Sequence, residues 1–274
     1  MIKLIATDLD GTLFDPKGNL SAEIFPIVRR LAARGVLFAV ASGRQYANLE
    51  KIFQPIKDQA VFIAENGALI RYRGERLHFC PLQKNKVIEA LAIVRQTEGC
   101  YPILCGENVA YIEDTVEPFF TRTTTPYSSY QLVSSLDEVV KDVPCCKLSV
   151  FSMDGAEKQG YPALSKRLKG VKLTLSGAHW CDVSHLDAHK GAAIKKLQQL
   201  FSISREESLA FGDHMNDVEM LRACAHTAAP KTAYPLVKAQ VEKIIPSNAE
   251  NGVIKALSAM LENEKGVWLW TKNL

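Results

Sequence analysis

No apolar run in the 274 residues approaches the ~20 that a membrane-spanning helix requires, so no such helix is expected. The N-terminal stretch also lacks the uninterrupted apolar segment of a signal peptide, because Asp8 and Asp10 fall inside it. A cytoplasmic location is the expectation. There is no CxxC pair among the seven cysteines at 80, 100, 105, 145, 146, 181 and 224, which removes the usual zinc spacing. Thiols scattered in this way, odd in number, read as small buried residues in a reducing compartment. Blocks of like charge are missing too, and 33 Lys plus Arg against 30 Asp plus Glu leave a formal net charge of only +3. Nucleic acid is therefore not an expected partner. Internal repeats are absent.

What is present is the balance of a soluble globular chain, 47% hydrophobic and 23% charged, long enough for one large domain or two smaller ones. Residues 2–7 (IKLIAT) predict a short buried strand. Ile24, Ile27, Val28 and Leu31 then fall at the spacing of an amphipathic helix that Gly35 can end, with Pro26 an awkward occupant. VLFAVA (36–41) predicts a second strand buried on both faces. A β-α-β opening implies parallel strands joined by a right-handed crossover. Tyr46, Leu49 and Phe53 suggest the next helix, VFIA (61–64) a third strand, ENG (65–67) a turn, and ALIRY with RLHF a hairpin.

From about residue 82 to 186 the texture changes to a helix near Val87–Val94, short strands near 101–105, 109–112, 147–151, 172–176 and 179–183, a helical stretch near 156–169, and a polar TRTTTPYSSY tract. The α/β texture resumes at Lys190 with GAAIKKLQQLF, a capping-box pair Ser204 and Glu207, the strand SLAFG (208–212) and short αβ units to about residue 261. The apolar tail GVWLWTKNL is expected to pack on the core, with Trp268 and Trp270 as an alternative partner contact. The prediction is an α/β fold with a Rossmann-like doubly wound parallel-sheet core, residues 1–81 and 187–274, and an inserted α+β domain, residues 82–186.

In such a sheet, ligands bind beyond the carboxyl ends of the strands. Asp8 and Asp10 follow the first strand, Ser42 the second, and Asp213, Asn216 and Asp217 follow SLAFG, with Lys190 opening a helix between them. The carboxylates suit a hard divalent cation such as Mg²⁺, which typically takes one or two carboxylates plus phosphate oxygens. Ser42 and Lys190 suit a phosphate, and a carboxylate can attack phosphorus to give an aspartyl phosphate. Taken singly, DxDGT reads equally as an Asx-rich turn, Ser-Gly as a loop and Lys190 as a solvated cation. Their order and placement together point to phosphoryl transfer.

The motifs DLDGT (8–12), ASG (41–43), ENGA (65–68), HKG around Lys190, GDHMND (212–217) and SNAENGV (247–253) resemble the haloacid dehalogenase-like superfamily of phosphatases, in its Cof-type (IIB) subfamily with a large α/β cap of C2 type. The resemblance covers the whole chain. It implies Asp8 as nucleophile, Asp10 as general acid and then base, and Mg²⁺ held by Asp8, the main-chain carbonyl of Asp10 and Asp213. Ser42, Gly43, Lys190 and Asn216 would bind the phosphoryl group, with Thr12, Asn66 and Asp217 in support, Asp217 by orienting Lys190 or metal-bound water. The insertion would close over the core as a cap, hinged near Pro81-Leu82 and 184–188, with Lys147, Ser176, His179 and Asp182 as candidate contacts. One departure is visible: AAPKTA (228–233) stands where the family usually carries Met-Gly-Asn-Ala, which puts that loop's shape and charge in question. The implied activity is Mg²⁺-dependent hydrolysis of small phosphorylated metabolites such as sugar phosphates, by a monomer or weak homo-oligomer. Two alternatives stay open: a phosphotransferase or mutase using the same aspartyl phosphate, and a low-turnover regulator that binds phosphorylated metabolites.

Overall fold

The structure is a computed structural model that describes residues 1–124 and 127–262. Five strands precede the insertion, β1 (Leu4–Thr7), β2 (Leu37–Ala41), β3 (Ala60–Ala64), β4 (Leu69–Tyr72) and β5 (Glu75–Phe79). Six lie in it, β6 (Cys100–Gly106), β7 (Ala110–Ile112), β8 (Tyr130–Leu132), β9 (Cys145–Ser152), β10 (Lys172–Gly177) and β11 (Trp180–Ser184), and β12 (Ser208–Phe211), β13 (His226–Pro230) and β14 (Lys243–Ile245) follow. The chain divides into two compact units, one of Met1–Ser42, Ile52–His78 and the segment from His189 on, the other of Gly43–Lys51 and Phe79–Ala188.

The first unit holds a sheet in the order β14-β13-β12-β1-β2-β3-β4-β5. It is parallel from β14 to β3, and β4 turns back antiparallel on β3. The central strands are apolar throughout because both faces are covered. Leu4 and Ala6 join a core with Ile194, Leu197, Val218 and Leu221 of the helices Lys190–Phe201 and Val218–Ala223. Ile5, pointing the other way by the two-residue period of a strand, is equally buried. Pro26 sits in the first turn of the helix Ile24–Ala33, where its missing N–H has no carbonyl to meet, so the helix begins where the apolar spacing places it.

The second unit is built on a sheet in the order β10-β11-β9-β6-β7-β8, antiparallel except for the β7–β8 pair. The helices Lys84–Arg95 and Gly160–Arg167 pack on it through Val87, Leu91, Val94 and Leu164. Three elements there escape the sequence reading: the helices Phe119–Thr124 and Leu136–Asp142, and β8. Six of the cysteines are buried free thiols and Cys80 is half-buried. Among the described residues no helix is long and apolar enough to cross a membrane. The tail with Trp268 and Trp270 lies outside the described residues.

Candidate active site

Strand order reverses around β1 and β12, and this switch point is where the first two acidic loops meet. Parallel pairing sets Thr7 beside Phe211, and the Asp8 N–H continues the ladder to the Phe211 carbonyl at 3.0 Å. Two residues further, the chain after β12 presents Asp213. DLDGT leaves β1 as a tight turn, in which the Phe14 N–H reaches the Leu9 carbonyl at 2.8 Å and Gly11 takes φ +86°. That conformation is left to glycine for a second reason as well: a Cβ on Gly11 would run into the Asp213 carboxylate. Gly11→Ala is accordingly expected to displace Asp213 and lower kcat/KM by about 10²-fold, the scale of ångström-sized misplacements in active sites. Steady-state kinetics beside a melting curve checks this.

Lys190, the first residue of its helix, is 1% exposed, and its ammonium is bonded to Asp8 Oδ1 and, at 2.6 Å, to Asp217 Oδ1. The other oxygen of Asp217 accepts the N–H groups of Asp213 at 3.0 Å and His214 at 3.1 Å. Asp213 Oδ1 accepts the Thr12 hydroxyl at 2.8 Å. Residues from three distant segments, 8–12, 190 and 213–217, thus form one hydrogen-bonded chain. Carboxylate oxygens of Asp8, Asp213 and Asp217 lie within 4.8 Å of one another, a grouping able to hold a metal ion. Both oxygens of Asp217 are already engaged, one by Lys190 and the other by two N–H groups.

Three carboxylates around one ammonium leave excess negative charge in a buried place. Burial first, and then the Asp217 carboxylate, push Asp8 well above the ordinary carboxylate range against the opposing pull of Lys190. Asp213 is raised as well, by burial and by Asp217, with the Thr12 bond working the other way. For Lys190, burial opposes the charge, but Asp217 and Asp8 more than compensate and its ammonium is held more firmly than usual. A divalent cation would relieve this repulsion, and the donors are the all-oxygen set that Mg²⁺ prefers.

Ser42 is buried at the end of β2, its N–H bonded to the Ile63 carbonyl and its own carbonyl to the Asn66 N–H, each at 2.9 Å. Asp10 is exposed on the turn, and Asn216 is half-buried in the short helix Met215–Asp217. Gly43 belongs to the second unit, where its carbonyl accepts from Lys147 Nζ at 3.1 Å. Of the four candidate contacts in the insertion, Lys147 and Asp182 come together as a buried ion pair at 3.1 Å. Ser176 is exposed, and His179 instead stacks on Phe151 with Nδ1 2.8 Å from the Ser152 carbonyl. Ser149, bonded to Asp182, was missed, although the alternation Lys147-Leu148-Ser149 places it on the face of Lys147. Gly212 was missed too: a Cβ there would lie 2.6 Å from that of Asp217.

The departing loop at 228–233 is bonded to the acidic loop at its start, the Gly212 N–H donating to the Ala228 carbonyl at 3.3 Å. Lys231 is paired at 2.6 Å with Glu250, both exposed, and this pairing together with Ser247 holds the Glu250 carboxyl down to about 2. The Tyr234 N–H bonds the Asp213 carbonyl at 2.8 Å, and Asn248, from SNAENGV, bonds the Phe14 carbonyl at 2.9 Å. A cavity of about 500 Å³ lined by Lys3, Val36, Gln59, Tyr72, Arg73 and Phe201 lies at the opposite edge of the sheet and contains none of these groups.

The whole chain has similar relatives. The chain is 29% identical over 269 residues to the 5-amino-6-(5-phospho-D-ribitylamino)uracil phosphatase YbjI of Escherichia coli, covering 96% of this chain and 97% of that one. It is 27% identical to the phosphoglycolate phosphatase of Metallosphaera sedula, over 95% and 100% of the two chains. A crystal structure from Eubacterium rectale superposes with a TM-score of 0.86 at 28% identity, over 94% of this chain and 98% of the other. The family model for haloacid dehalogenase-like hydrolases matches residues 5–257. The chain belongs to the haloacid dehalogenase-like hydrolases and is a phosphoric monoester hydrolase of that family.

Proposed function

We propose that the enzyme hydrolyses small phosphorylated metabolites, sugar phosphates or similar organic monophosphates, with Mg²⁺ as cofactor and through an aspartyl phosphate on Asp8. The observation that carries this reading is the buried chain Asp8–Lys190–Asp217 beside Asp213 and Thr12. Lys190 engages Asp8 through Oδ1, which leaves Oδ2 to attack phosphorus in line with the ester oxygen. Two of the three ammonium hydrogens are committed to carboxylates, and the third would meet a phosphoryl oxygen together with the Ser42 hydroxyl, Gly43 and Asn216. Asp10 would give its proton to the departing oxygen. It would then take a proton from the water that attacks the aspartyl phosphate, releasing phosphate and restoring Asp8. Asp8 and Asp213, with the Asp10 carbonyl, would hold Mg²⁺, which when bound supplies positive charge to the phosphoryl oxygens.

Residues 1–81 and 187–274 would then carry the chemistry and the insertion, 82–186, the choice of substrate. The buried Lys147–Asp182–Ser149 set supports that division, since burying a charge pair on a sheet is seldom favourable for stability alone. A ribityl phosphate in the name of one relative and phosphoglycolate in another support a small phosphorylated substrate. The test is phosphate release from a panel of phosphorylated metabolites, with Mg²⁺ and with a chelator. Release that the chelator abolishes is expected; binding of the same compounds without release would favour transfer or regulation instead.

A further inference from the structure

The hairpin between β3 and β4 carries a turn that chain reversal does not require. Its last strand pair is Ala64 with Leu69, and an Asn-Gly turn of two residues would suffice to join antiparallel strands. The chain uses four, and three of them in succession take positive φ: Glu65 at 51°, Asn66 at 56° and Gly67 at 104°. Asn tolerates that region and glycine is at home in it, but a glutamate is not. Strain kept at one place marks a function the surroundings enforce.

The turn's contacts say what the function is. On one side the Asn66 N–H donates to the Ser42 carbonyl at 2.9 Å. On the other, Gly67 lies so close to the start of the Lys190 helix that a Cβ would be 2.5 Å from the His189 carbonyl oxygen and 3.1 Å from the Lys190 nitrogen. That carbonyl is itself the acceptor for the Ala193 N–H at 3.2 Å, so it cannot swing away without opening the helix's first turn. Ser42 and Lys190, 148 positions apart in the chain, are thus gauged against each other by three left-handed residues.

We infer that the turn Glu65–Gly67 is a positioning element that sets the spacing between Ser42 and Lys190, with Gly67 as its contact against the helix. The inference rests on the reading that these two side chains hold the transferring phosphoryl group. The turn would act through these two side chains, as a positioning element.

The test compares Gly67→Ala with the wild type in the full chain. It measures kcat, KM, the affinity for orthovanadate as a stand-in for the phosphoryl group, and the melting temperature. Gly67→Ala is expected to lose about 10²-fold in kcat/KM under conditions where it is folded, with orthovanadate affinity falling in parallel. A folded Gly67→Ala that keeps both kcat/KM and orthovanadate affinity, whatever its melting temperature, overturns the inference. Should Gly67→Ala not fold, amide exchange in the wild type decides. By reciprocity, saturating orthovanadate should slow exchange of the Asn66 N–H by about 5-fold or more, and unchanged exchange overturns the inference. Wild type that releases no phosphate from any ester defeats the reading of the site; active wild type with an unaffected variant defeats only the positioning role.

Discussion

Asp8→Asn is expected to lose at least about 10⁴-fold in kcat while folding as well as the wild type or better. The size of the loss follows from the proposed role: removing the nucleophile of a covalent mechanism would leave only what binding and electrostatics still supply. The stability follows from the charges. Asp8 shares a buried place with Asp217 and Asp213, and burial and Asp217 raise its pKa. A carboxyl raised in the folded state contributes stability at low pH that is lost as pH rises through its folded pKa. At neutral pH the wild-type charge therefore costs stability that the neutral amide does not, and Lys190 keeps Asp217 as its counter-ion. In a chelating buffer the variant's melting temperature should match or exceed that of the wild type, with the gap closing as pH falls. Added Mg²⁺ should raise the wild type's melting temperature more than the variant's, because one proposed ligand has gone. A variant that keeps near wild-type turnover would remove Asp8 from the nucleophile's role.

Lys190→Ala is the second large effect and differs in kind, because it should damage stability as well as activity. Its ammonium is fully buried between two carboxylates. Removing one partner of a buried ion pair typically costs about 3–5 kcal/mol, since the remaining charge is stranded. In a chain of this size that corresponds to a fall of roughly 6–20 °C in melting temperature. The deficit should shrink as pH falls from about 8 toward 5: without the ammonium nothing opposes the upward push on Asp8, and protonation relieves it. Loss of an electrostatic contact to the phosphoryl group should lower kcat by about 10²–10³-fold in addition. Thermal melts at several pH values, beside kinetics at a temperature where the variant is folded, separate the two effects. A melting temperature equal to the wild type at pH 8 would show that the buried network is not ionised as described.

The parts of this molecule that were legible in the sequence are those where one local rule dominates. Apolar runs such as IKLIAT and VLFAVA announce strands buried on both faces, and polar residues just past their ends mark the ligand-binding edge whatever the remaining topology. DLDGT, Lys190 and GDHMND could be placed there before any coordinates. Tertiary context decided the rest. The helix Phe119–Thr124 lies in a threonine-rich tract whose β-branched residues argue against a helix, and it forms around Phe119, which packs between Tyr101 and Phe151. Only their polarity singles out Ser176 and His179, and polarity does not tell which way a strand residue faces until the register is known. The same limit hid Ser149. Nor could spacing reveal that Asp217 spends both oxygens on Lys190 and on two N–H groups. The left-handed Glu65 follows no local preference at all and is imposed by the packing around it.

The central claim is that phosphate passes through Asp8. Quenching the wild-type enzyme during turnover with sodium borohydride reduces an acyl phosphate to an alcohol, and peptide mass spectrometry then shows homoserine at position 8. That conversion is expected in the presence of substrate and Mg²⁺, and none without substrate or in Asp8→Asn. Steady release of phosphate with position 8 left unmodified, or reduction of a different carboxylate, would contradict it.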